Sequence, residues 1–226
     1  MTYFDAGRKV QVFNSLWYPR TEYHAPVLGI DLLCFAVRAC MLSALKVPWD
    51  SHTTPHSLFQ GVKVLTVVDS QPIIPRADGG CRGDWTGRFR GIRDRYPSLS
   101  GKMSARHYDE MQYFSDGMLF GRFDETNSIT SDVKPAFQEY VREYVDMVAQ
   151  MEPDPAQTHT VWEQQRAYDQ YSADHDPAHA LFVSYFGHEW ANDFVHNFLF
   201  DLSTPPSDDD DKPALVSLPS VIRGAV

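Results

Sequence analysis

The apolar and polar positions are patterned most regularly in residues 10–35. Residues 10–18 hold β-branched, aromatic and aliphatic side chains, and this run ends at Pro19 because proline cannot donate to a strand ladder. Residues 23–26 are typical of a turn, and a second apolar run then continues to Phe35. The pattern predicts two neighbouring strands joined by a turn, with a close backbone approach at Gly29.

A lone carboxylate, Asp31, interrupts the second of these apolar runs. An ionised aspartate among apolar neighbours is costly to bury unless it is paired or protonated. Asp31 is therefore either a structural hydrogen-bonding residue or a proton carrier with a shifted pKa. Asn14 lies on the neighbouring predicted strand, and the sequence leaves open whether the two side chains share a face.

Beyond residue 35 the pattern predicts two more strands and a helical C-terminal half. The predicted strands are residues 62–68 and 113–123; the predicted helices are residues 135–151 and 160–172, a third that begins at Asp176-Pro177, and a last amphipathic segment at 190–199. Gly187 separates the last two helical segments. Apolar periodicity fades after Phe200, so residues 203–226, with four consecutive aspartates, predict a solvated and loosely held tail.

The composition fits one globular domain with a large core. The chain has 226 residues, of which 43% are hydrophobic and 13% aromatic. Two interpretations of the many aromatic side chains stay open: a well-filled core, or a pocket for a flat conjugated ligand.

The charge distribution argues against a nucleic-acid-binding protein. The formal net charge is −10 and the pI about 5.2, so no overall basic field is present to release counterions. Residues 76–106 reverse this balance, with eight arginines and lysines against three aspartates. This stretch predicts either a docking face for an acidic partner or anionic ligand, or a solvated helix face.

Several familiar signatures are missing from the sequence. It has no glycine-rich phosphate loop and no GxSxG motif, and no histidine stands three residues after His188-Glu189, so a zinc protease is excluded. The nine histidines are scattered, which makes a metal site a poor interpretation. Three cysteines without a CxxC motif indicate a reducing compartment, and no apolar run approaches the ~18 residues of a membrane span.

Five stretches carry a family resemblance. They are FNSLWYP at 13–19, PVLGIDLL at 26–33, VVDSQP at 67–72, SDGMLFGRF at 115–123, and residues 168–200. Together they resemble the ferredoxin-dependent bilin reductases. SLWYP, GIDLL and MLFGRF are most similar to the branch that makes phycoerythrobilin from 15,16-dihydrobiliverdin.

This resemblance implies a three-layer α/β/α sandwich, with a central antiparallel sheet and the linear tetrapyrrole held between the sheet and the C-terminal helices. It implies an oxidoreductase with no bound metal or flavin, to which reduced ferredoxin brings electrons singly while the enzyme supplies protons. The expected partners are ferredoxin and a bilin, with no nucleic acid and no membrane. We further expect a monomer, located in a plastid if the source is eukaryotic and in the cytoplasm otherwise.

The resemblance also implies site residues. Asp31 aligns with the catalytic aspartate of a Gly-x-Asp motif, and Asp176 aligns with a second family aspartate. On local grounds Asp176 is equally well explained as a helix N-cap. Asn14 falls where family members that make phycocyanobilin from biliverdin carry a histidine. Arg106 and Arg122 are candidates to pair the bilin propionates, because a guanidinium fork fits a carboxylate.

Two departures from the family pattern shape the predicted domain organisation. Family members carry several tens of residues before the position of Asn14, so we expect the first strands of the sheet to be missing and an edge to be exposed. Residues 36–59 have no family counterpart, and are either a lineage-specific insertion or translated non-coding sequence. We therefore expect one bilin reductase domain at 1–202 and an acidic tail at 203–226. The alternatives are a family member that acts on biliverdin and an inactive bilin-binding fragment.

Overall fold

An antiparallel sheet forms the centre of the protein. The computed structural model describes residues 2–5, 10–35, 63–75, 85–102, 110–123 and 128–204. Within them five strands pair in chain order, each antiparallel to the next. The strands are β1 (Thr2–Asp5), β2 (Val10–Trp17), β3 (Val27–Phe35), β4 (Lys63–Gln71) and β5 (Leu119–Phe123).

Helices cover the sheet on both faces, and the first two of them lie between β4 and β5 in the chain. The helices are α1 (Trp85–Arg95), α2 (Glu110–Tyr113), α3 (Lys134–Ala149), α4 (Thr158–His175), α5 (Ala178–Phe186) and α6 (His188–Phe194). Turns of π-helix, Ile129–Val133 and Val195–Leu199, precede α3 and follow α6. Gly187 separates α5 from α6 with a φ of 88°, a left-handed conformation that glycine adopts without a steric penalty.

The first face of the sheet packs against α1 and α3 and forms an apolar core with them, here called the dry core. Leu28, Ile30 and Leu32 of β3 point into this core, where each is at most 2% exposed. The rings of Phe89 in α1 and Tyr140 in α3 stack there with centroids 4.5 Å apart. This layer is a conventional apolar core, and such burial contributes ~1.5–3 kcal/mol for each large aliphatic side chain.

The second face of the sheet is covered by α4, α5 and α6. A second apolar cluster joins Val27 and Ile73, at the end of the sheet, to side chains of these helices. Hydrogen bonds hold α4 to the segment that directly follows β2: Gln165 Nε2 donates to the Pro19 carbonyl at 3.0 Å, and the Tyr18 hydroxyl donates to Asp169 at 2.6 Å. The predicted three-layer α/β/α sandwich with a central antiparallel sheet is confirmed.

The predicted strand boundaries need two corrections. Strand β4 continues to Gln71 rather than ending at residue 68, and residues 113–118 are not part of a strand. Buried Asp69 explains both differences, because its carboxylate accepts from the Ser115 amide at 2.8 Å and from the Tyr140 hydroxyl at 3.3 Å. Asp69 and Ser70, which look like a strand end in the sequence, thus lie inside the sheet. Asp69 also anchors the turn that leads into β5.

The helices lie close to their predicted positions. Helix α3 begins at Lys134 after a turn of π-helix, and α4 extends from Thr158 to His175, beyond the predicted 160–172 at both ends. Strand β1, which the sequence did not predict, pairs with β2 from Thr2 opposite Asn14 to Asp5 opposite Gln11. The edge of β2 that we expected to be exposed is therefore covered over these positions.

Several predictions fall outside the described residues. They concern the segment 36–59, most of the tail 203–226, and Arg106. Cys34 is buried in the dry core. No helix among the described residues is long and apolar enough to span a membrane.

Candidate active site

A cavity of about 360 Å³ lies between the second face of the sheet and helices α4 and α5. Its size falls in the range of small-molecule sites, roughly 300–1,000 Å³. Most of its wall is apolar and aromatic, contributed by Val12, Leu16, Leu33, Phe35, Leu65, Val67, Tyr113, Phe114, Phe120, Tyr171, Leu181, Phe182 and Phe200. Some of the aromatic side chains therefore line a cavity, as a pocket for a flat ligand requires, and others fill the core.

The alternation of side chains along β3 brings Asp31 to this cavity. Residues 28, 30 and 32 enter the dry core, so the residues between them face the opposite side. Asn14 of β2 lies directly opposite Asp31, and its side-chain amide donates a hydrogen bond to the Asp31 carboxylate. The two side chains thus share a face, which the sequence had left open.

Asp176 enters the same cavity from the helical layer, at the junction between α4 and α5. Its Oδ1 accepts a hydrogen bond from the Ala178 amide at 2.8 Å, as expected of a residue that caps a helix start. Asp176 caps the helix and also faces the cavity, because the cap uses only one of its two carboxylate oxygens.

The pKa values of the two cavity aspartates are raised. The pKa of Asp31 is raised to about 7, mainly by burial and also by the nearby negative charge of Asp176, while the Asn14 hydrogen bond partly opposes both effects. The pKa of Asp176 is raised to about 6, by burial and against the Ala178 amide and His179, which lower it. Carboxyls whose pKa values are raised toward neutral pH can act as acids toward a bound ligand.

The structure describes one of the two arginines predicted to bind the bilin propionates. Arg122 lies on β5 at the cavity wall, where it is exposed, and its guanidinium carbon is 5.5 Å from the centroid of the Phe120 ring. An exposed guanidinium beside an apolar cleft is available to a ligand carboxylate. Arg106 lies outside the described residues.

Three polar residues of the cavity were missed by sequence reasoning. They are Gln71, at the end of β4, and Tyr168 and Ser172 of α4. Tyr168 donates a hydrogen bond to Gln71 Oε1. A signal was available for two of them, because Tyr168, Ser172 and Asp176 are spaced by four residues and so share one face of a helix.

The described residues contain no group of three or more His, Cys, Asp or Glu side chains that could hold a metal ion. Fold and site together define a class of protein: an α/β/α sandwich with an aromatic cleft and two carboxyls of raised pKa facing it from opposite layers. Such a site suits proton delivery to a large conjugated ligand.

Comparison with known proteins identifies the family. Residues 57–201 match the family model described as ferredoxin-dependent bilin reductase. The 15,16-dihydrobiliverdin:ferredoxin oxidoreductase of Nostoc punctiforme is 37% identical over 206 residues, covering 90% of this chain and 73% of that protein. The protein of the same name from Parasynechococcus marenigrum is 35% identical over 210 residues, covering 91% and 77% respectively. This chain belongs to the ferredoxin-dependent bilin reductases, oxidoreductases that take their electrons from ferredoxin.

A solved structure supports the fold. Tomato phytochromobilin synthase in complex with biliverdin matches with a TM-score of 0.65 at 17% identity. The match covers 89% of this chain but 64% of that chain, so this chain spans just under two thirds of the solved structure. At this identity the likeness concerns the fold alone.

Proposed function

We propose that this protein reduces 15,16-dihydrobiliverdin to phycoerythrobilin in phycobilin biosynthesis, with single electrons from reduced ferredoxin and protons from its own aspartates. The observation that carries this proposal is the placement of Asp31, with a pKa of about 7, in the wall of an aromatic cavity that also receives Asp176. The proteins named for this reaction align with 90% or more of the chain in two cyanobacteria.

Asp31 is the proposed principal proton donor. Reduction of one carbon–carbon double bond takes two electrons and two protons, and each electron added to the conjugated ligand raises its basicity. A protonated carboxyl within hydrogen-bond reach then transfers its proton to the reduced ligand. Asn14 holds the Asp31 carboxyl in place through its side-chain amide and cannot itself titrate.

Asp176 is the proposed second donor, and Arg122 the proposed partner of a ligand propionate. Asp176 reaches the cavity from the layer opposite Asp31, so the two carboxyls can serve different positions of a ligand held between the layers. Arg122 lies at the wall with its guanidinium exposed, where a charged propionate can stay near water. Arg106 remains a candidate for the other propionate.

Ferredoxin is proposed to dock on the basic stretch that includes α1. Arg88, Arg90 and Arg95 of this helix are exposed, although each lies beside a carboxylate of the same protein. We further propose that the protein acts as a monomer, in a plastid if its source is eukaryotic and in the cytoplasm otherwise.

An anaerobic assay tests the proposal. Purified protein receives reduced ferredoxin and either biliverdin or 15,16-dihydrobiliverdin, and products are followed by absorbance and chromatography. We expect phycoerythrobilin from 15,16-dihydrobiliverdin and no comparable turnover of biliverdin. Preferential turnover of biliverdin would place the protein in another branch of the family. Tight binding of both bilins without turnover would show an inactive bilin-binding protein.

A further inference from the structure

A polar stripe formed by α4 and the residue that follows it faces the cavity. Tyr168 and Ser172 lie one turn apart on α4, Asp176 follows the last residue of this helix, and all three line the cavity wall. Asp176 has a proposed role as an acid, whereas Tyr168 and Ser172 have none. Both of these residues are nearly inaccessible, with Tyr168 1% and Ser172 6% exposed.

Hydrogen bonds connect this stripe to the sheet. The Ser172 side chain hydrogen-bonds the Tyr168 phenol and lowers the pKa of that phenol. Burial outweighs this effect and raises the pKa of Tyr168 well above its usual value, so the phenol keeps its proton. Tyr168 then donates that proton to Gln71 Oε1. The chain runs from Ser172 through Tyr168 to Gln71 and links the helix to the sheet.

The hydrogen bond from Tyr168 sets the orientation of the Gln71 amide. A glutamine amide has an accepting oxygen and a donating nitrogen at the two ends of its fork, and only the oxygen can accept from Tyr168. The Nε2 group of Gln71, a side chain that lines the cavity, is therefore the end that does not face Tyr168. A neutral amide donor of this kind does not change its charge with pH.

Gly29 provides the space that this orientation needs. A Cβ atom at Gly29 would lie 2.5 Å from Gln71 Oε1 and 3.0 Å from its Cδ, closer than real Cβ contacts allow. The close approach at Gly29 thus admits the Gln71 side chain across the strand. Gly29 and Asp31 share a face of β3, about 7 Å apart at the strand rise of ~3.4 Å per residue, so the Gln71 amide and the proposed acid line the same cavity from this face.

We propose that Gln71 Nε2 donates a hydrogen bond to a terminal lactam carbonyl of the bilin, and that Tyr168 and Ser172 are positioning residues for this donor. The inference rests on the proposed function, because it concerns the ligand of the same cavity. A bilin is a linear tetrapyrrole with a lactam at each end, and a lactam carbonyl accepts hydrogen bonds strongly. The Gln71 amide, held by the Tyr168 hydroxyl, recognises this carbonyl with little loss of side-chain entropy.

The first test replaces the donor. Gln71→Leu removes the amide with a similar volume, and Gln71→Glu keeps an acceptor for Tyr168 while it removes the Nε2 donor. Affinity is measured by absorbance titration with 15,16-dihydrobiliverdin, and the lactam carbonyl stretch of the bound bilin by isotope-edited infrared spectroscopy. We expect a 3- to 10-fold rise in Kd, roughly the value of one hydrogen bond, and a stretch at higher frequency in both variants. Gln170→Leu, an exposed glutamine on α4, is the matched control.

The second test separates positioning from contact. Tyr168→Phe removes only the hydroxyl and keeps the ring, whose centroid lies 5.4 Å from the centroid of the Tyr113 ring. As a single substitution, Tyr168→Phe should raise the Kd for 15,16-dihydrobiliverdin about 2- to 3-fold. It should also broaden the infrared band of the lactam carbonyl, because the Gln71 amide loses its fixed orientation. In the Gln71→Leu background the same change should have almost no further effect, as expected for two residues that act through one interaction.

The outcomes separate this inference from the proposed function. If wild-type protein neither binds nor reduces the bilin, the proposed function fails. If wild-type protein binds and reduces it while Gln71→Leu and Gln71→Glu keep the wild-type Kd and carbonyl frequency, the lactam assignment alone is overturned. Full additivity of Tyr168→Phe with Gln71→Leu would overturn the positioning role of Tyr168.

Discussion

The two faces of the sheet use the same strands for opposite purposes. On β3, Leu28, Ile30 and Leu32 enter a dry core with α1 and α3, whereas Asp31 between them enters a cavity with α4 and α5. The neighbours Ile30 and Asp31 are covalently adjacent but lie in different environments. The period of two along a strand therefore separates the residues that stabilise the fold from those proposed to carry the chemistry.

Two aspartates on neighbouring strands show how a carboxyl is tolerated inside the protein. Asp69 of β4 is satisfied by several protein donors and is 0% exposed. On the cavity side Asp31 has Asn14 as its hydrogen-bond donor and stands near the like charge of Asp176. Fewer stabilising contacts leave its proton more available to a ligand.

The largest expected effect is on the cavity face. Asp31→Asn keeps the size of the side chain and removes the transferable proton, so bilin should still bind and accept an electron. Turnover should fall by 10²- to 10⁴-fold, typical for the loss of a positioned acid, and a bilin radical should accumulate. Electron paramagnetic resonance and product chromatography check this. Turnover within 3-fold of wild type would exclude Asp31 as the donor.

The adjacent residue tests the dry face. Ile30→Ala should lower the free energy of unfolding by ~2–5 kcal/mol, because it leaves a cavity in a core where Ile30 is 1% exposed. Bilin affinity at a temperature where the variant is folded should stay near that of wild type. Chemical denaturation and absorbance titration measure the two quantities. A large loss of affinity in a folded Ile30→Ala variant would show that the two faces are not independent.

A substitution at Asp176 separates its two interpretations, a helix cap and a proton donor. Asparagine caps a helix nearly as well as aspartate, so Asp176→Asn should leave the melting temperature almost unchanged. We expect turnover to fall at least 10-fold, because asparagine has no proton to transfer. Thermal unfolding and steady-state turnover are measured on the same preparation. Near-normal product formation would leave the cap as the only role of Asp176.

The sequence was sufficient for the layers and for part of the site. Alternation in residues 10–35 predicted β2 and β3, and the resemblance placed Asp31, Asp176, Asn14 and Arg122, which the structure brings to one cavity. Asp69 could not be predicted to lie within a strand, because its donors come from residues 115 and 140, distant in the sequence. Local patterns report local burial, whereas satisfaction of a buried carboxylate depends on long-range contacts.

Gln71 and Tyr168 were missed for a related reason. The VVDSQP stretch predicts a strand end, where an exposed glutamine is unremarkable, and an aromatic residue inside a helix is usually part of the core. The contact between these two residues spans 97 positions of the chain. It depends on the space at Gly29, where the sequence predicted a close approach of backbone and the structure instead places the Gln71 side chain.

The pH dependence gives a smaller effect with a defined sign. The pKa of Asp31 is raised to about 7, so the folded protein holds this proton more tightly than the unfolded chain. The stability that this proton adds is complete below the ordinary aspartate pKa of ~4 and is lost as the pH rises through about 7. The rate constant for single-turnover protonation should fall about 10-fold per pH unit above 7. A flat profile from pH 6 to 9 would contradict a donor with this pKa.

The smallest expected effect concerns the outer surface of α1, on the dry side of the sheet. An unpaired basic face would give ferredoxin-dependent turnover a steep salt dependence, because exposed charges are screened over ~10 Å at 0.1 M. In the structure, however, Arg88 lies 3.0 Å from Glu143 and Arg90 lies 3.5 Å from Asp116, which lowers the net positive charge. We therefore expect kcat/KM for ferredoxin to fall only about 2- to 5-fold between 0.05 and 0.3 M salt. Arg90→Gln should reduce kcat/KM at low salt and flatten this dependence, whereas Arg20→Gln, in the turn between β2 and β3, should change neither. Equal effects of the two substitutions, or turnover independent of salt at subsaturating ferredoxin, would remove α1 from the docking face.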